Sequence, residues 1–119
     1  MAAKALTFRT GVGSARVNPN PPSLVSVGVP VYNGASLLPR ALDALLAQDW
    51  PDLDIVVSDN ASTDASAAIA ESYAARDPRV RLLRSPVNAG FEVNFARVLE
   101  SSTGEYFMWA ACDDWWDPR

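Results

Sequence analysis

The sequence contains no histidine, which excludes several common kinds of functional site. Without an imidazole there is no histidine general base and no histidine-ligated zinc in this chain. Cysteine occurs once, at Cys112, so no internal disulfide can form and a reducing compartment is expected. No apolar run approaches the roughly 20 residues of a membrane-spanning helix. The first residues also lack the apolar segment of a signal peptide. We therefore predict a cytoplasmic location and no membrane segment in this chain.

The bulk composition is that of one globular domain. The chain has 119 residues, of which 49% are hydrophobic and 20% charged. Its net charge of -4 leaves no basic stripe to neutralise phosphates, so no nucleic-acid partner is expected. Residues 1–23 include the segment "VNPNPPS", show no helix or strand period, and are predicted to be a flexible tail. Residues 24–119 are predicted to form the folded part.

Strand patterns and helix patterns alternate through this folded part. Four segments rich in β-branched and apolar residues predict strands, namely "LVSVGVPV", "LDIVVS", "RVRLLR" and "EYFMWAA". Helical periods between them predict helices over residues 36–48, 64–76 and 90–102. Ser36 is predicted to cap the first helix, and Ser62 or Asp64 the second. The third helix is expected to turn its apolar residues inward, namely Phe91, Phe95, Val98 and Leu99.

This βαβαβαβ order predicts the fold and the place of a ligand site. We expect a Rossmann-like three-layer α/β/α structure with a mostly parallel sheet in the strand order 3-2-1-4. Ligands of such sheets bind at the carboxyl ends of the strands, where the strand order reverses. That topology would bring together three segments, namely residues 30–34, Asp59 with Asn60, and Asp113 with Asp114.

The acidic pair admits two interpretations on spacing alone. Adjacent carboxylates repel one another unless a cation resolves the conflict. Mg²⁺ and Mn²⁺ are typically held by one or two carboxylates together with substrate phosphates, so the pair fits a divalent cation shared with a diphosphate. The pair fits a solvated acidic loop equally well. The segment from Asp59 to Asp64 has the same ambiguity, because it also makes a good turn between a strand and a helix.

The ordered motifs resemble those of family 2 glycosyltransferases, enzymes of the GT-A fold. In sequence order they are "PVYN", "AQDWP", "DNASTD", "TGEY" and the acidic pair, and the similarity covers about residues 24–117. Each motif is weak alone, and the ordered set is specific. The resemblance implies a truncated GT-A fold and transfer of a sugar from a nucleoside-diphosphate-sugar donor to an unknown acceptor.

The resemblance also implies roles for particular residues. The nucleotide pocket would be lined by four consecutive residues, Pro30, Val31, Tyr32 and Asn33. Asp59 and Asn60 would lie beside the base and ribose. Because relatives often carry an acid at the position of Asn60 and an amide can accept or donate, we predict a preference for uridine or thymidine diphosphate donors that is weaker than an aspartate would give. Asp113 would lie nearer the ribose and Asp114 on the divalent cation, Mn²⁺ or Mg²⁺.

A further implication concerns catalysis. Relatives usually invert the anomeric centre with a carboxylate base. That base is unknown here and is expected beyond Arg119, because the sequence stops where the acceptor half of the family begins. We therefore expect a donor-binding fragment that is inactive alone and self-associates through an exposed strand over residues 106–109.

Two other functions remain open on the sequence alone. A non-catalytic nucleotide-binding or interaction module of the same fold would need the same donor residues and no base. A receiver-like signalling domain also groups acids at strand ends, but it needs an acidic pair after its first strand and a late lysine. Tyr32 and Asn33 stand at the first place, and the single lysine is Lys4, so this hypothesis is less favoured.

Overall fold

The computed structural model describes residues 23–113, in which four strands and three helices alternate along the chain. Their bounds in order are β1 (Val25–Val31), α1 (Leu38–Leu46), β2 (Leu53–Asp59), α2 (Ser66–Arg76), β3 (Val80–Arg84), α3 (Phe91–Ser101) and β4 (Tyr106–Trp109). Within this range no helix is long and apolar enough to cross a membrane.

The four strands form one parallel sheet in the order β3-β2-β1-β4. This confirms the fold and the strand order predicted from the sequence. β1 lies between β2 and β4, with Val25 opposite Leu53 on one side and opposite Tyr106 on the other. At the far end of the same strand, Val31 lies opposite Asp59. The carboxyl ends of β1 and β2 therefore finish level with each other.

The sheet is covered on both faces, which explains why β1 and β2 are buried along their whole length. One face packs against α1 and α2 in the larger apolar cluster. The other face packs against α3, where Val56, Val98 and Phe107 form a smaller cluster. Gly28 makes this second contact possible, because a Cβ at that position would lie 2.7 Å from Phe107 Cζ.

Two predicted helix caps are wrong. α1 begins at Leu38, with Leu37 in the N-cap position and no side-chain cap, so Ser36 does not cap it. The carbonyl of Gly34 accepts from the backbone N–H groups of Leu37 and Leu38 instead, which makes a turn before the helix. α2 begins at Ser66 with Ala65 at its N-cap, so neither Ser62 nor Asp64 holds that position.

The apolar face of α3 differs from the prediction at its first residue. Val98 is fully buried and Phe95 and Leu99 are partly buried, but Phe91 is 70% exposed. Asn94 is buried in its place, where it bonds Ser58 of β2 through both its oxygen and its nitrogen. In the first turn of α3, the polar side chain of Asn94 therefore faces the sheet and the aromatic ring of Phe91 faces solvent.

A buried polar network closes the amino ends of the strands. Asp54 accepts two hydrogen bonds from the guanidinium of Arg81, at 2.8 and 3.0 Å. It also accepts from Ser26 Oγ and from the backbone and hydroxyl of Thr103. Ser26 Oγ in turn accepts from the Gly104 N–H. This Asp54 network ties β1, β2 and β3 to the loop before β4, at the end of the sheet remote from the candidate site.

Candidate functional site

Three segments meet at the carboxyl edge of the sheet, as the topology required. The Asn60 N–H donates to the carbonyl of Val31 at 2.9 Å, which joins the ends of β1 and β2. The chain after β4 reaches the same place, because a Cβ on Gly34 would lie only 2.8 Å from Cys112 Sγ. Cys112 therefore lies beside the turn that follows β1. Asp114 and the residues after it lie outside the described range.

Asn33 fastens the turn after β1 to the loop after β2. Its Oδ1 accepts from the backbone N–H of Thr63 at 2.8 Å, and its own N–H donates to Ser62 Oγ at 2.8 Å. Asn33 adopts a left-handed φ of 50°, a conformation that asparagine tolerates better than most residues. Its side chain is thus engaged in holding the two loops together.

Asp64 and Ser66 make a second connection between these loops. Asp64 accepts from the Ala35 N–H at 3.1 Å and from Ser66 Oγ at 2.6 Å. Ser66 Oγ also accepts from the Gly34 N–H at 2.9 Å. The hydrogen bond from the Ser66 hydroxyl, helped by backbone N–H donors, lowers the pKa of the Asp64 carboxyl. Asp64 and Ser66 therefore tie the β1–α1 turn to the start of α2.

Asp59 is the one buried carboxylate at this edge among the described residues. It is 2% exposed, and its Oδ2 accepts from the Ser62 N–H at 3.1 Å. Its Oδ1 is buried without a hydrogen-bond partner in the described part of the chain. Buried acceptors nearly always have a partner, so this oxygen is expected to accept a hydrogen bond from a water or a ligand.

Asn60 is equally buried, and its side chain contacts the loop between β3 and α3. Nδ2 donates to Asn88 Oδ1 at 2.9 Å and to the Gly90 carbonyl at 3.2 Å. Oδ1 accepts from the Ala89 N–H at 3.1 Å. The residue that follows, Ala61, has a left-handed φ of 61°, which is strained for a residue with a Cβ. The β2–α2 loop thus changes direction sharply at the site.

The remaining predicted site residues differ in how much they expose. Pro30 and Val31 are buried in β1, whereas Tyr32, the first residue after this strand, is 48% exposed. Asp113 is exposed. In residues 23–113 no group of three or more His, Cys, Asp or Glu side chains could hold a metal ion.

Sequence reasoning missed several residues that shape this edge. The hydroxyls of Ser62 and Ser66 join the loops, and residues 88–90 form a wall next to Asn60. The spacing in "DNASTDAS" contained a signal for the serines, because hydroxyls and carboxylates in such loops commonly bond nearby backbone N–H groups. Nothing in the local sequence could link Asn60 to residues 88–90, since the contact is made across two elements.

The chain matches one family model over most of its length. The model for "Glycosyl transferase family 2" matches residues 26–119. Curated relatives include the glycosyltransferase YibD of Escherichia coli (strain K12), which is 37% identical over 80% of this chain. Glycosyltransferase GlyA of Streptococcus pneumoniae serotype 4 is 33% identical over 76% of this chain.

Solved structures of similar fold include two proteins in complex with sugar nucleotides. The mannosyltransferase PcManGT from Pyrobaculum calidifontis, in complex with GDP-Man and Mn²⁺, is 31% identical over 81% of this chain, with a TM-score of 0.71. TarS (residues 1–349) of S. aureus in complex with UDP-GlcNAc is 28% identical over 76% of it, with a TM-score of 0.70.

The chain is much shorter than the proteins that it resembles. It spans 27% of the length of YibD and 13% of that of GlyA. Among the structures it covers 29% of PcManGT and 26% of the TarS chain bound to UDP-GlcNAc. The similarity thus concerns one segment of those larger proteins.

Proposed function

This chain belongs to glycosyl transferase family 2, and we propose that it forms the donor-binding part of an enzyme that transfers a sugar from a nucleoside-diphosphate sugar. The proposal rests on one observation: the end of β1, the end of β2 and Cys112 after β4 lie at the same carboxyl edge of the sheet, with Val31 opposite Asp59 and Gly34 beside Cys112. A parallel sheet of this strand order binds its ligands there. Two neighbours of similar fold are described with sugar nucleotides, which supports the same ligand class.

In this proposal each segment has a separate task. The half-exposed ring of Tyr32 offers a flat surface beside the base, and the buried backbone of Pro30 and Val31 supports it. The unpartnered Asp59 Oδ1 accepts a hydrogen bond from the base or from a ribose hydroxyl. Asn33 keeps the loops on either side of that carboxylate at a fixed distance.

The diphosphate needs positive charge in a chain whose net charge is -4. Asp113 and Asp114 are proposed to hold a divalent cation, Mn²⁺ or Mg²⁺, against the donor. When bound, such a cation stabilises the negative charge of the departing nucleoside diphosphate as the glycosidic bond breaks. The exposed position of Asp113, the residue after Cys112, is compatible with this role.

The donor and the stereochemistry are further parts of the proposal. We favour uridine or thymidine diphosphate donors and inversion at the anomeric carbon. The neighbours carry guanosine and uridine nucleotides, so their fold is compatible with more than one base. The proposed location is the cytoplasm, where sugar nucleotides are available.

Calorimetric binding of uridine diphosphate tests the proposal directly. We expect affinity to fall roughly tenfold or more, about 1.4 kcal/mol, when Mn²⁺ is replaced by EDTA. Asp113→Asn and Asp114→Asn should remove most of this metal dependence. Glu105→Gln is the matched control, because Glu105 is an exposed acid at the opposite end of β4.

The possible results separate the two parts of the proposal. Equal affinity with Mn²⁺ and with EDTA would show that the assignment of the acidic pair is wrong. If the chain binds none of the common nucleoside diphosphates, the donor function itself is overturned.

A further inference from the structure

The side chain of Asn60 has almost no capacity left for a ligand. An asparagine amide has two donor hydrogens and two acceptor lone pairs. Both hydrogens are directed at the loop before α3, one at Asn88 Oδ1 and the other at the Gly90 carbonyl. One lone pair accepts from the Ala89 N–H. At 2% exposure, the residue has its polar atoms turned away from solvent and toward this loop.

The loop formed by residues 88–90 depends on these bonds. All three of its residues are exposed, and Gly90 has a φ of 91° and a ψ of 159°, a combination essentially restricted to glycine. Asn88 Oδ1 accepts from the Gly90 N–H at 2.9 Å as well as from Asn60. Asn60 therefore joins an exposed loop in an unusual conformation to the buried end of β2.

Resting on the proposed donor function, we infer that Asn60 is a positioning residue that holds loop 88–90 as a wall of the donor site and does not itself select the base. The neighbouring Asp59, with its unpartnered oxygen, faces the same edge of the sheet. Any preference among bases then arises from Asp59 and from the shape of the held loop. This replaces the sequence-based expectation that the Asn60 amide reads the base.

Substitution by aspartate separates positioning from direct recognition. Asn60→Asp keeps the shape of the side chain and its acceptor oxygens, so a base-reading residue would still accept from the imide N–H of uracil or thymine. The same change removes both donors and places a carboxylate against Asn88 Oδ1 and the Gly90 carbonyl, two acceptors that it repels. A positioning residue would thereby lose its hold on the loop.

Competition calorimetry with the diphosphates of uridine, thymidine, guanosine and adenosine provides the first test. We expect Asn60→Asp, Asn60→Ala and Asn88→Ala to weaken all four by a similar factor, roughly tenfold. The double variant Asn60→Ala/Asn88→Ala should lose less affinity than the two single losses combined, because the Asn60–Asn88 hydrogen bond is lost in both single variants. A change of base preference in the Asn60 variants alone, or full affinity in Asn88→Ala, would overturn the inference.

Hydrogen exchange provides a readout that needs no nucleotide. The Ala89 and Gly90 amides donate to Asn60 and Asn88, so Asn60→Ala should speed their exchange at least tenfold, with the amides of β1 unchanged. Asn94→Ala is the matched control, since Asn94 is similarly buried but bonds Ser58. If exchange at residues 89 and 90 is unaltered in Asn60→Ala, the positioning role is refuted whether or not a diphosphate binds. If the wild type binds no diphosphate, the donor function fails, and the exchange result still decides whether Asn60 holds the loop.

Discussion

At the scale of single residues, Asp54 shows how a charged group is kept ionised inside the sheet. Burial alone would raise the pKa of its carboxyl, but hydrogen bonds from Arg81 and Ser26 outweigh burial and lower it. Because the pKa is lowered in the folded state, the resulting stabilisation is fully present above the ordinary pKa, near pH 4. It is lost as pH falls through the lower folded-state value.

Asp54→Asn should therefore destabilise the chain at neutral pH and reduce its sensitivity to acid. We expect a loss of about 1.5–3 kcal/mol in the free energy of unfolding at pH 7, the usual range for hydrogen bonds to a charged group. Between pH 5 and pH 3 the variant should lose less stability than the wild type. Asp77, whose pKa is lowered to about 2 by bonding with Arg79, keeps part of the acid sensitivity in both proteins.

Urea unfolding at several pH values measures both effects. Glu71→Gln is the control, since its ion pair with Arg84 is more than half exposed on both sides and should contribute little. Equal slopes of stability against pH for Asp54→Asn and the wild type would contradict the role assigned to this network.

The location of a residue was predictable from the sequence where it depends only on the position of that residue within a strand or helix. Asp59 and Asn60 were expected at the tip of β2, and they lie there. The partners of Asn60 and Asp54 were not predictable, because each is made across elements far apart in the chain. Asp54 is the second residue of the predicted strand "LDIVVS", and only the assembled sheet brings Arg81 and Thr103 to it.

At the scale of elements, the contact between α3 and the sheet depends on a missing side chain. A Cβ on Gly28 would lie 2.7 Å from Phe107 Cζ and 2.8 Å from Val98 Cγ2. All three residues are in the interior, so neither neighbour can move aside into solvent. Gly28→Ala should therefore destabilise the fold by about 1–3 kcal/mol, the usual cost of overpacking a core.

A second variant distinguishes overpacking from other effects of the alanine. Phe107→Leu removes the ring atom that would meet the new methyl group. Gly28→Ala/Phe107→Leu should therefore be more stable than the sum of the two single changes implies. Thermal and urea unfolding of the four proteins completes this cycle. Strict additivity would show that the ring and the added methyl group do not meet.

Element types and order followed from the periodic pattern, but helix starts did not. The strands and helices alternate as predicted because β-branched runs and helical stripes are distinct over several residues. Ser36 fitted a cap by residue type, yet the carbonyl of Gly34 meets the first N–H groups of the helix. Phe91 fitted the apolar stripe, yet the first turn of α3 turns Asn94 to the sheet.

At the scale of the whole molecule, length separates donor binding from transfer. The chain spans 27% of YibD and 29% of PcManGT, so transfer is proposed for a longer protein and not for these 119 residues alone. A transferase needs a base within reach of the acceptor hydroxyl, and in this proposal Asp59 and Asp113 are engaged by the donor. We expect this chain to bind a donor without forming a glycoside.

Product analysis after incubation with labelled sugar nucleotides and a panel of sugar acceptors measures this outcome. A chain extended to the length of the relatives is the positive control.

Sedimentation velocity on the same samples tests the accompanying prediction of self-association. The side chains of Phe107 and Met108 are buried and those of Tyr106 and Trp109 are partly exposed, so an association through β4 would use its backbone edge together with these two rings. Glycoside formation by a monomeric preparation of this chain would contradict both predictions.

The position of β1 between β2 and β4 has a consequence for synthesis on the ribosome. Among the described strands β1 is made first, but its partner on one side is the last of them, with three helices and two strands between the two. At roughly 5–20 residues per second, several seconds pass before that partner emerges. During this time the nascent chain carries a run of valines with an open edge. Chaperones that shield unpaired strands would therefore act on this protein chiefly before β4 has been translated.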